Sequence, residues 1–367
     1  MKKLIMYVFG DIATDARVQR AAEALSNRYN VIVLSLDKGK KPDSSIYQNI
    51  ILPESKGPFK RYLTYFNSVR KAIAIIKKEK PDVFYAHDYY SALVVKKVLG
   101  KGFCDKIIYD AHELIIPENG SIDRRMRYFY NNEKCIVRHV DLLICANDER
   151  AEEMKKHYSL MNKPLVIRNI SQLKSIDSPE SELLINKLDN FFKDERTTIV
   201  YAGVVNRGRN VRALIEAVRS HSDKVKLLII GGGDELKSLM EMVSLDNQLP
   251  VTFTGPIPYK CLGALLSRCD AGYLYYPNNK LNNILCASNK IYEYSSLHLP
   301  IISNENITIK KDLEKYKIGY CSDNIEEALI YVLQNMKQLK ENCSLFNSEN
   351  NWQIEKIKLI NAVSNLV

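Results

Sequence analysis

Short apolar runs alternate with segments of helical periodicity along most of the chain. Repetition of strand, helix and strand predicts parallel sheets that are covered by helices on both faces. The predicted strands are Leu4–Phe9, Val31–Leu36, Val83–Ala86, Lys106–Tyr109, Leu142–Cys145, Leu165–Ile167, Ile199–Ala202, Val225–Ile230, Val251–Thr254, Ala271–Tyr276 and Leu299–Ser303. Helices are predicted near Thr14–Arg28, Phe59–Lys78, Tyr89–Leu99, Asp123–Arg138 and Asp148–His157.

A polar interval that is rich in serine and charged residues, 171–198, separates the two halves of this pattern. We interpret it as a hinge, which divides the chain into domains 1–170 and 171–349. A helix over residues 350–367 is predicted to pack back onto the first domain. Two doubly wound domains should face each other across a cleft and bind ligands at the carboxyl ends of their strands.

The net charge of +10 is distributed unevenly along the sequence. Lys and Arg outnumber Asp and Glu within residues 1–170, and the two kinds balance within residues 171–367. A basic half can meet nucleic acid, anionic lipid or an anionic substrate. The chain has no finger spacing, no aromatic signature for base stacking and no long basic arm, so nucleic acid is not an expected partner.

Composition is that of a globular protein, with 46% hydrophobic and 26% charged residues. No apolar run approaches the roughly 18 residues of a membrane span, and Leu4–Phe9 is too short for a signal-peptide core. The eight cysteines form no Cys-x-x-Cys pair and no metal-ligand spacing with the six histidines. We therefore expect a reduced, cytoplasmic compartment and no metal site.

The segment 288–303 combines several signals. Ser288 and Asn289 predict the start of a helix that leads directly into a short buried strand. A helix start with free backbone N–H groups and Lys290 beside it suits a phosphate or diphosphate. Glu293 lies one turn further along, where its carboxylate can accept hydrogen bonds from two ribose hydroxyls. An ordinary capped helix with a solvated Glu293 is the alternative.

Polar side chains follow three predicted strands of the first half, where parallel sheets carry their ligand-binding loops. They are Asp11 and Asp15 after the first strand, His87 and Asp88 after Val83–Ala86, and His112 and Glu113 after Lys106–Tyr109. Two separate pairs of a histidine and an acid at strand ends favour a functional site. Histidines that only satisfy hydrogen bonds at the strand ends are the alternative.

Three loops follow strands of the second half. Arg207 and Arg209 lie at a predicted helix start, where the helix dipole disfavours cations. Their presence there indicates an anion bound between them, and solvent-facing arginines are the alternative. The run Gly231–Gly233 joins a strand to a helix without matching the Gly-x-Gly-x-x-Gly pattern, and close backbone packing also explains it. Gly255 lies in a tight turn that can present backbone amides to a planar base, although a plain turn explains it as well.

Seven motifs together resemble those of a known family. They are Asp15–Ala22, Tyr109–Leu114, Asn169, Tyr201–Asn210, Gly231–Asp234, Phe253–Gly255 and Ser288–Ser303. In order and spacing they resemble the family-4 glycosyltransferases of GT-B architecture over nearly the whole chain. The resemblance implies two Rossmann-like domains, with a nucleotide-diphosphate sugar bound by the second and an acceptor by the first. It also implies transfer of the sugar with retention of configuration and with no metal ion or other cofactor.

The resemblance further implies roles for individual residues. The implied donor site comprises Arg207, Arg209, Gly232, Gly255, Ser288, Asn289, Lys290 and Glu293, with Arg209 and Glu293 also catalytic. In the first domain His112 is the implied catalytic residue, and Asp11, Asp15, His87, Asp88 and Glu113 lie with it on the acceptor side. One position departs from the family pattern, because Leu285 replaces the first acid of the paired-glutamate motif. This leaves the identity of the sugar open, and it weakens the case for catalysis.

Residues 60–78 and 124–130 combine basic and apolar side chains at near-helical spacing. We hypothesise that one or both lie against an anionic inner leaflet, and core-packed helices with solvated lysines are the alternative. The expected function is transfer of a sugar to a glycan or lipid-linked glycan in surface-polysaccharide synthesis. Alternatives are a nucleotide-sugar epimerase of the same architecture and a non-catalytic nucleotide-binding partner. An NAD-dependent dehydrogenase rests on Gly231–Gly233 alone.

Overall fold

A computed structural model describes residues 1–36, 46–57, 59–118, 120–175, 178–246 and 248–367. The chain forms two compact units, Met1–Asn169 with Gln353–Val367, and Ile170–Trp352. Each unit is a parallel sheet with interleaved helices, which confirms the predicted class of two doubly wound α/β domains.

Among the described residues, the first unit contains β1 to β7 and the second contains β8 to β13. In chain order the strands are β1 (Lys2–Asp11), β2 (Tyr29–Leu36), β3 (Gln48–Leu52), β4 (Val83–His87), β5 (Lys106–Ala111), β6 (Leu142–Cys145), β7 (Leu165–Val166), β8 (Thr197–Ala202), β9 (Val225–Ile230), β10 (Val251–Gly255), β11 (Ala271–Leu274), β12 (Ile301–Ser303) and β13 (Gly319–Cys321). The helices are α1 (Ala16–Ser26), α2 (Lys60–Glu79), α3 (Ala92–Val98), α4 (Arg124–Lys134), α5 (Asp148–His157), α6 (Pro179–Lys187), α7 (Asp189–Lys193), α8 (Val211–Ser220), α9 (Leu236–Ser244), α10 (Tyr259–Leu266), α11 (Leu281–Ile284), α12 (Asn289–Ser296), α13 (Ile307–Tyr316), α14 (Ile325–Glu349) and α15 (Trp352–Ser364).

The sheet of the first unit has the order β3-β2-β1-β4-β5-β6-β7, so the direction in which strands are added reverses between β1 and β4. Residues Leu4, Ile5, Met6 and Tyr7 of β1 are all fully buried. Both faces of a central parallel strand are covered, which explains why this strand reads as a continuous apolar run.

The sheet of the second unit has the order β10-β9-β8-β11-β12-β13 and reverses between β8 and β11. Alternate side chains of β8 enter two separate apolar clusters, with Val200 and Ala202 in one and Ile199 and Tyr201 in the other. This alternation is the period of two along a strand, and it shows that helices cover both faces of the sheet.

Apart from its first residue, Trp352, the C-terminal helix α15 belongs to the first unit. Its buried Glu355 accepts hydrogen bonds from the backbone N–H and the Nε of Arg168, at 3.0 and 2.8 Å. Leu359 and Val363 on the same helix are fully buried. Charge pairing and apolar packing therefore both attach this helix to the first unit.

Several elements differ from the sequence-based expectation. The interval 171–198 is not simply a hinge, because α6 and α7 form within it and Leu184 and Phe191 pack on the core of the second unit. Positions 176–177 of this interval lie outside the described residues. The short strands β3 and β13 and the long helix α14 were not predicted. Helix α4 ends at Lys134, earlier than the predicted 138.

No helix among the described residues is long and apolar enough to cross a membrane.

Candidate functional site

The reversal of strand order in the first unit brings together the loops that follow β1 and β4. Such a switch point is where open α/β sheets bind ligands, because the two loops diverge from the sheet edge and leave a crevice. Asp11 ends β1 and Asp15 follows it, whereas His87 ends β4 and Asp88 follows it. Four predicted residues therefore lie on these two loops.

Arg17 and Asp110 form a buried ion pair beside this switch point. The Nη2 of Arg17 lies 2.7 Å from Oδ1 of Asp110, and its Nε lies 3.1 Å from Oδ2. The hydroxyl of Tyr85 donates a further hydrogen bond to Oδ2 at 3.1 Å. Burial raises the pKa of the Asp110 carboxyl, but the charge of Arg17, together with His112 and with hydrogen bonds from His87 and Arg17, outweighs burial, and the pKa lies well below its usual range. Asp110 is therefore an anion that is fixed in position.

Two histidines pack against this carboxylate. Nδ1 of His87 lies 3.2 Å from Nε2 of His112, and the two atoms lie 3.6 and 3.7 Å from Oδ2 of Asp110. Burial, acting with the charge of Arg17 and against the attraction of Asp110, lowers the pKa of His112 to about 4. His112 is thus neutral at physiological pH, and its side chain keeps 15% of its surface exposed.

The same three side chains place possible metal-ligating atoms within 4.8 Å of one another. However, the Oδ2 of Asp110 already accepts hydrogen bonds from Tyr85 and from Arg17. A divalent cation at this place would also meet the guanidinium charge of Arg17. The donor set therefore fits a hydrogen-bonded network better than it fits a metal ion.

The remaining predicted acids of the first unit differ in environment. Asp11 caps a 3₁₀ turn by accepting the N–H of Ala13 at 2.9 Å, and Asp15 caps α1 by accepting the N–H of Arg17 at 3.1 Å. Asp88 has a positive φ of 61°. Burial, followed by the charge of Glu113, raises the pKa of Asp88 to about 8. Glu113 itself is exposed.

In the second unit, the loops after β8, β9 and β10 pack backbone against backbone. A Cβ atom on Gly231, whose φ is 135°, would lie 1.9 Å from the carbonyl oxygen of Gly203. The carbonyl of Gly232 accepts the N–H of Val205 at 3.0 Å, and that of Gly255 accepts the N–H of Gly231 at 3.0 Å. Close packing, as the sequence alternative proposed, thus explains this glycine run.

Arg209 spans the switch point of the second unit. It follows β8, and its Nη1 donates to the carbonyl oxygen of Tyr275, which follows the neighbouring strand β11, at 3.0 Å. Its guanidinium carbon lies 4.0 Å from the centre of the Tyr276 ring. The exposed Arg207 lies in the same 3₁₀ turn. Two arginines therefore lie at the position where this sheet type binds ligands.

The predicted helix start at Ser288 is confirmed, because α12 begins at Asn289 and the Oγ of Ser288 accepts the N–H of Lys290 at 3.2 Å. Glu293 is only 2% exposed. Its Oε1 accepts a hydrogen bond from the hydroxyl of Tyr259 at 3.0 Å, and its Oε2 forms an ion pair with Nζ of Lys290. The alternative of a solvated Glu293 is therefore wrong.

Leu285 directly follows the short helix α11, in the connection between β11 and α12. Side chains after β12 hold this loop: Asn306 donates to the carbonyl of Asn283 at 3.0 Å, and Thr308 donates to that of Ile284 at 2.8 Å. The position that carries an acid in the family pattern is thus part of a fixed segment.

Four residues around these clusters were not predicted as site residues: Arg17, Asp110, Tyr85 and Tyr259. Arg17 and Asp110 lie within the motifs that carry the resemblance, which was the available signal. Tyr259 follows the loop of Gly255 directly, but a tyrosine at a helix start carries no signal of its own.

Two family models match the chain. The model described as Glycosyltransferase Family 4 matches residues 16–170, and the model described as Glycosyl transferases group 1 matches residues 196–340. Together with the two doubly wound sheets, these matches define a glycosyltransferase of GT-B architecture. More narrowly, the chain belongs to the family-4 glycosyltransferases, as the sequence motifs predict.

Solved structures share this fold over their whole length. Sucrose-phosphate synthase from Thermosynechococcus elongatus has a TM-score of 0.75 at 14% identity, covering 100% of this chain and 99% of that one. WaaG, a glycosyltransferase involved in lipopolysaccharide biosynthesis, has a TM-score of 0.71 at 15% identity and 98% coverage of each chain. HepE from Anabaena, in complex with UDP-glucose, has a TM-score of 0.71 at 14% identity and 100% coverage of each chain. None of the curated protein sequences that were compared with the chain matches it significantly.

Proposed function

We propose that this glycosyltransferase moves a hexosyl group from a nucleoside-diphosphate sugar to a glycan or lipid-linked glycan, with retention of configuration and without a metal ion. The observation that carries the proposal is Arg209, which bridges the loops after β8 and β11 at the switch point. A UDP-sugar is the first candidate donor, because the structural neighbour HepE was solved with UDP-glucose.

In this proposal the donor diphosphate binds to Arg209 and to the first turn of α12. Guanidinium groups and helix N–H groups bind phosphate oxygens, and they stabilise the charge that develops on a departing diphosphate. Arg207 adds a second positive charge in the same turn. Glu293 accepts hydrogen bonds from the ribose hydroxyls.

The first unit contributes His112 to the reaction. With a pKa of about 4 the imidazole is neutral, so it both donates and accepts hydrogen bonds and can bind sugar hydroxyls. A neutral ring also avoids a second full charge beside Arg17. Asp110 and His87 contact this ring and hold its orientation.

Exposed aromatic and basic residues on α2 and α4 support a lipid-linked acceptor of surface-polysaccharide synthesis. Phe59, just before α2, and Tyr62 on α2 are 73% and 65% exposed, and Arg61 on α2 and Arg124 and Arg125 on α4 are also exposed. Such a surface suits peripheral attachment to an anionic inner leaflet, where each basic residue contributes about 1 kcal/mol. Co-sedimentation with anionic and neutral liposomes tests this part, and equal sedimentation with both would reject it.

The donor site is tested by thermal stabilisation with UDP-, GDP-, ADP- and CMP-sugars. A ligand that binds only the folded protein raises its melting temperature. We expect one nucleotide class to stabilise the wild type and to lose this effect in Arg209→Ala and Glu293→Ala. Arg268→Ala, at an exposed position of the same unit, is the matched control and should keep the effect.

Transfer itself is tested by incubating the stabilising donor with and without a lipid-linked acceptor. Release of nucleoside diphosphate that depends on the acceptor supports the proposal. Conversion of the sugar nucleotide in the absence of acceptor would instead indicate an epimerase. Binding without any turnover would indicate a non-catalytic partner, which is the outcome that Leu285 favours.

A further inference from the structure

Lys290 and Glu293 of helix α12 in the second unit form an ion pair with each other. The Nζ of Lys290 forms an ion pair with Oε2 of Glu293, three residues further along α12. The carboxylate side chain is 3% exposed, whereas the side chain of Lys290 is 22% exposed. Lys290 is therefore the more solvent-accessible member of this ion pair.

The other oxygen of this carboxylate is also occupied. Oε1 accepts the hydroxyl of Tyr259 at 3.0 Å, and the Tyr259 oxygen lies 2.6 Å from Oγ of Ser171. Tyr259 therefore anchors one side of Glu293 to the body of the unit. Because the Glu293 side chain is only 3% exposed, ribose hydroxyls can reach its carboxylate only when a neighbouring side chain moves, and the long, flexible Lys290 is well suited to do so.

A nucleoside diphosphate supplies the reason for Lys290 to move. The diphosphate proposed above binds at the first turn of α12, where Lys290 is the second residue. A lysine in the first turn of a helix is unfavourable with respect to the helix dipole, and an anion at the helix start reverses this balance. The ammonium group of Lys290 thus has two alternative anionic partners, which are Glu293 in the free protein and the phosphates in the complex.

We propose that Lys290 is a clasp on Glu293, which diphosphate binding opens so that the carboxylate can bind ribose. The inference rests on the proposed function, since it assigns the order of events within the same donor site. It makes Lys290 a specificity-determining residue: a nucleoside without phosphates must compete with the clasp, whereas a diphosphate removes it. Tyr259 is a positioning residue that keeps Glu293 in place when the clasp opens.

The clasp predicts effects of opposite sign from one substitution. Lys290→Met retains most of the side-chain volume but removes the charge. It should weaken binding of the diphosphate at least about tenfold, because a charge-assisted contact is lost. It should also tighten binding of the nucleoside about fivefold, because the binding-competent state no longer competes with a closed state.

The experiment measures dissociation constants for UDP and uridine, GDP and guanosine, and ADP and adenosine by ligand-observed NMR. The pair whose diphosphate binds best to the wild type is then titrated into Lys290→Met. In a Glu293→Gln background, Lys290→Met should give no tightening of the nucleoside, since the released carboxylate is absent. Lys337→Met, at an exposed position of α14, is the matched control and should leave both constants unchanged.

Two further variants guard against a folding artefact. Lys290→Gln keeps a hydrogen-bond donor and should shift both constants in the same directions by smaller factors. Tyr259→Phe should weaken nucleoside and diphosphate by the same factor, because it disturbs Glu293 and not the clasp. If the wild type binds no diphosphate of the panel, the proposed donor site and the clasp are both wrong. If the wild type binds a diphosphate but Lys290→Met fails to tighten its nucleoside, the donor site stands and the clasp is wrong.

Discussion

Replacing Arg17 with methionine should destabilise the first unit strongly, and the loss should depend on pH in a specific way. Arg17 is 8% exposed, and Asp110, its partner, is 1% exposed. The guanidinium also donates from Nη1 to the carbonyl oxygen of Ile167 at 2.7 Å. Arg17→Met therefore removes the hydrogen bonds that the guanidinium donates to Asp110 and to Ile167, and it leaves the buried carboxylate of Asp110 without its cation.

The expected magnitude follows from this burial. Removing one partner of a buried ion pair typically costs about 3–5 kcal/mol, most of which is the desolvation of the charge that remains. For a unit of this size the melting temperature should fall by roughly 10 °C. Adding Asp110→Asn to Arg17→Met removes the unpaired charge, so the double variant should recover part of the loss.

The pH dependence gives the sharper test. In the wild type the pKa of Asp110 is below its unfolded value, so its contribution to stability is complete above about pH 4 and is lost as the pH falls further. In Arg17→Met, burial acts without the opposing cation and raises the pKa of Asp110 above the unfolded value. The folded variant then takes up a proton that the unfolded chain does not, and its deficit should shrink between about pH 7 and about pH 4.5.

Urea denaturation followed by circular dichroism measures the free energy of unfolding, and hydrogen exchange with mass spectrometry assigns the transition to the first unit. Arg28→Met is the matched control, because Arg28 is exposed and its Nη1 donates to the hydroxyl of Ser364 at 3.3 Å in an exposed contact. It should change the free energy of unfolding by less than about 0.5 kcal/mol. A deficit in Arg17→Met that is constant between these pH values would refute the reasoning.

Three further predictions concern the two sites. Gly231→Ala should destabilise the second unit by about 2 kcal/mol or more, because it adds a steric clash with the Gly203 carbonyl to the strain of a positive φ. Gly100→Ala is the control, since φ is also positive there but no atom lies close, and it should lower the melting temperature less in thermal denaturation. Treatment with EDTA should leave transferase activity unchanged, and a loss that zinc or magnesium restores would show that the cluster around His112 holds a metal. His112→Ala should lower kcat about 100-fold. Because the pKa of His112 is lowered, the kcat of the wild type should show no ionisation of His112 between about pH 5.5 and 8. A step in kcat near pH 6.5 that His112→Gln abolishes would contradict this lowered pKa.

Local patterns predicted most of the fold because burial of each strand and helix leaves a periodic signal. The elements that were missed lack that signal. Strand β3 lies at the edge of its sheet, and only Leu52 among its residues is buried, so pairing with β2 rather than apolar periodicity defines it. Strand β13 has only three residues. The helices within 171–198, α6 and α7, lack the signal because their apolar side chains are only partly buried.

The chemistry of the sites was predictable only where it is local. Ser288 could be assigned as a helix cap because the cap and its target are two residues apart. The pair of Arg17 and Asp110 joins positions that are 93 residues apart, and Tyr259 reaches Glu293 across 34 residues. Only the strand order brings such residues together, and no sequence spacing reveals it.

Helix α15 has a consequence for the order in which this protein can mature during synthesis. The second unit is continuous from Ile170 to Trp352, whereas the first contains residues that are translated after all of the second. When residue 169 has left the ribosome, Arg168 still lacks Glu355, and the places of Leu359 and Val363 are empty. The second unit can therefore fold completely before the first unit does, although most of the first unit is translated earlier. A nascent chain arrested before residue 353 exposes an incomplete first unit to chaperones and proteases.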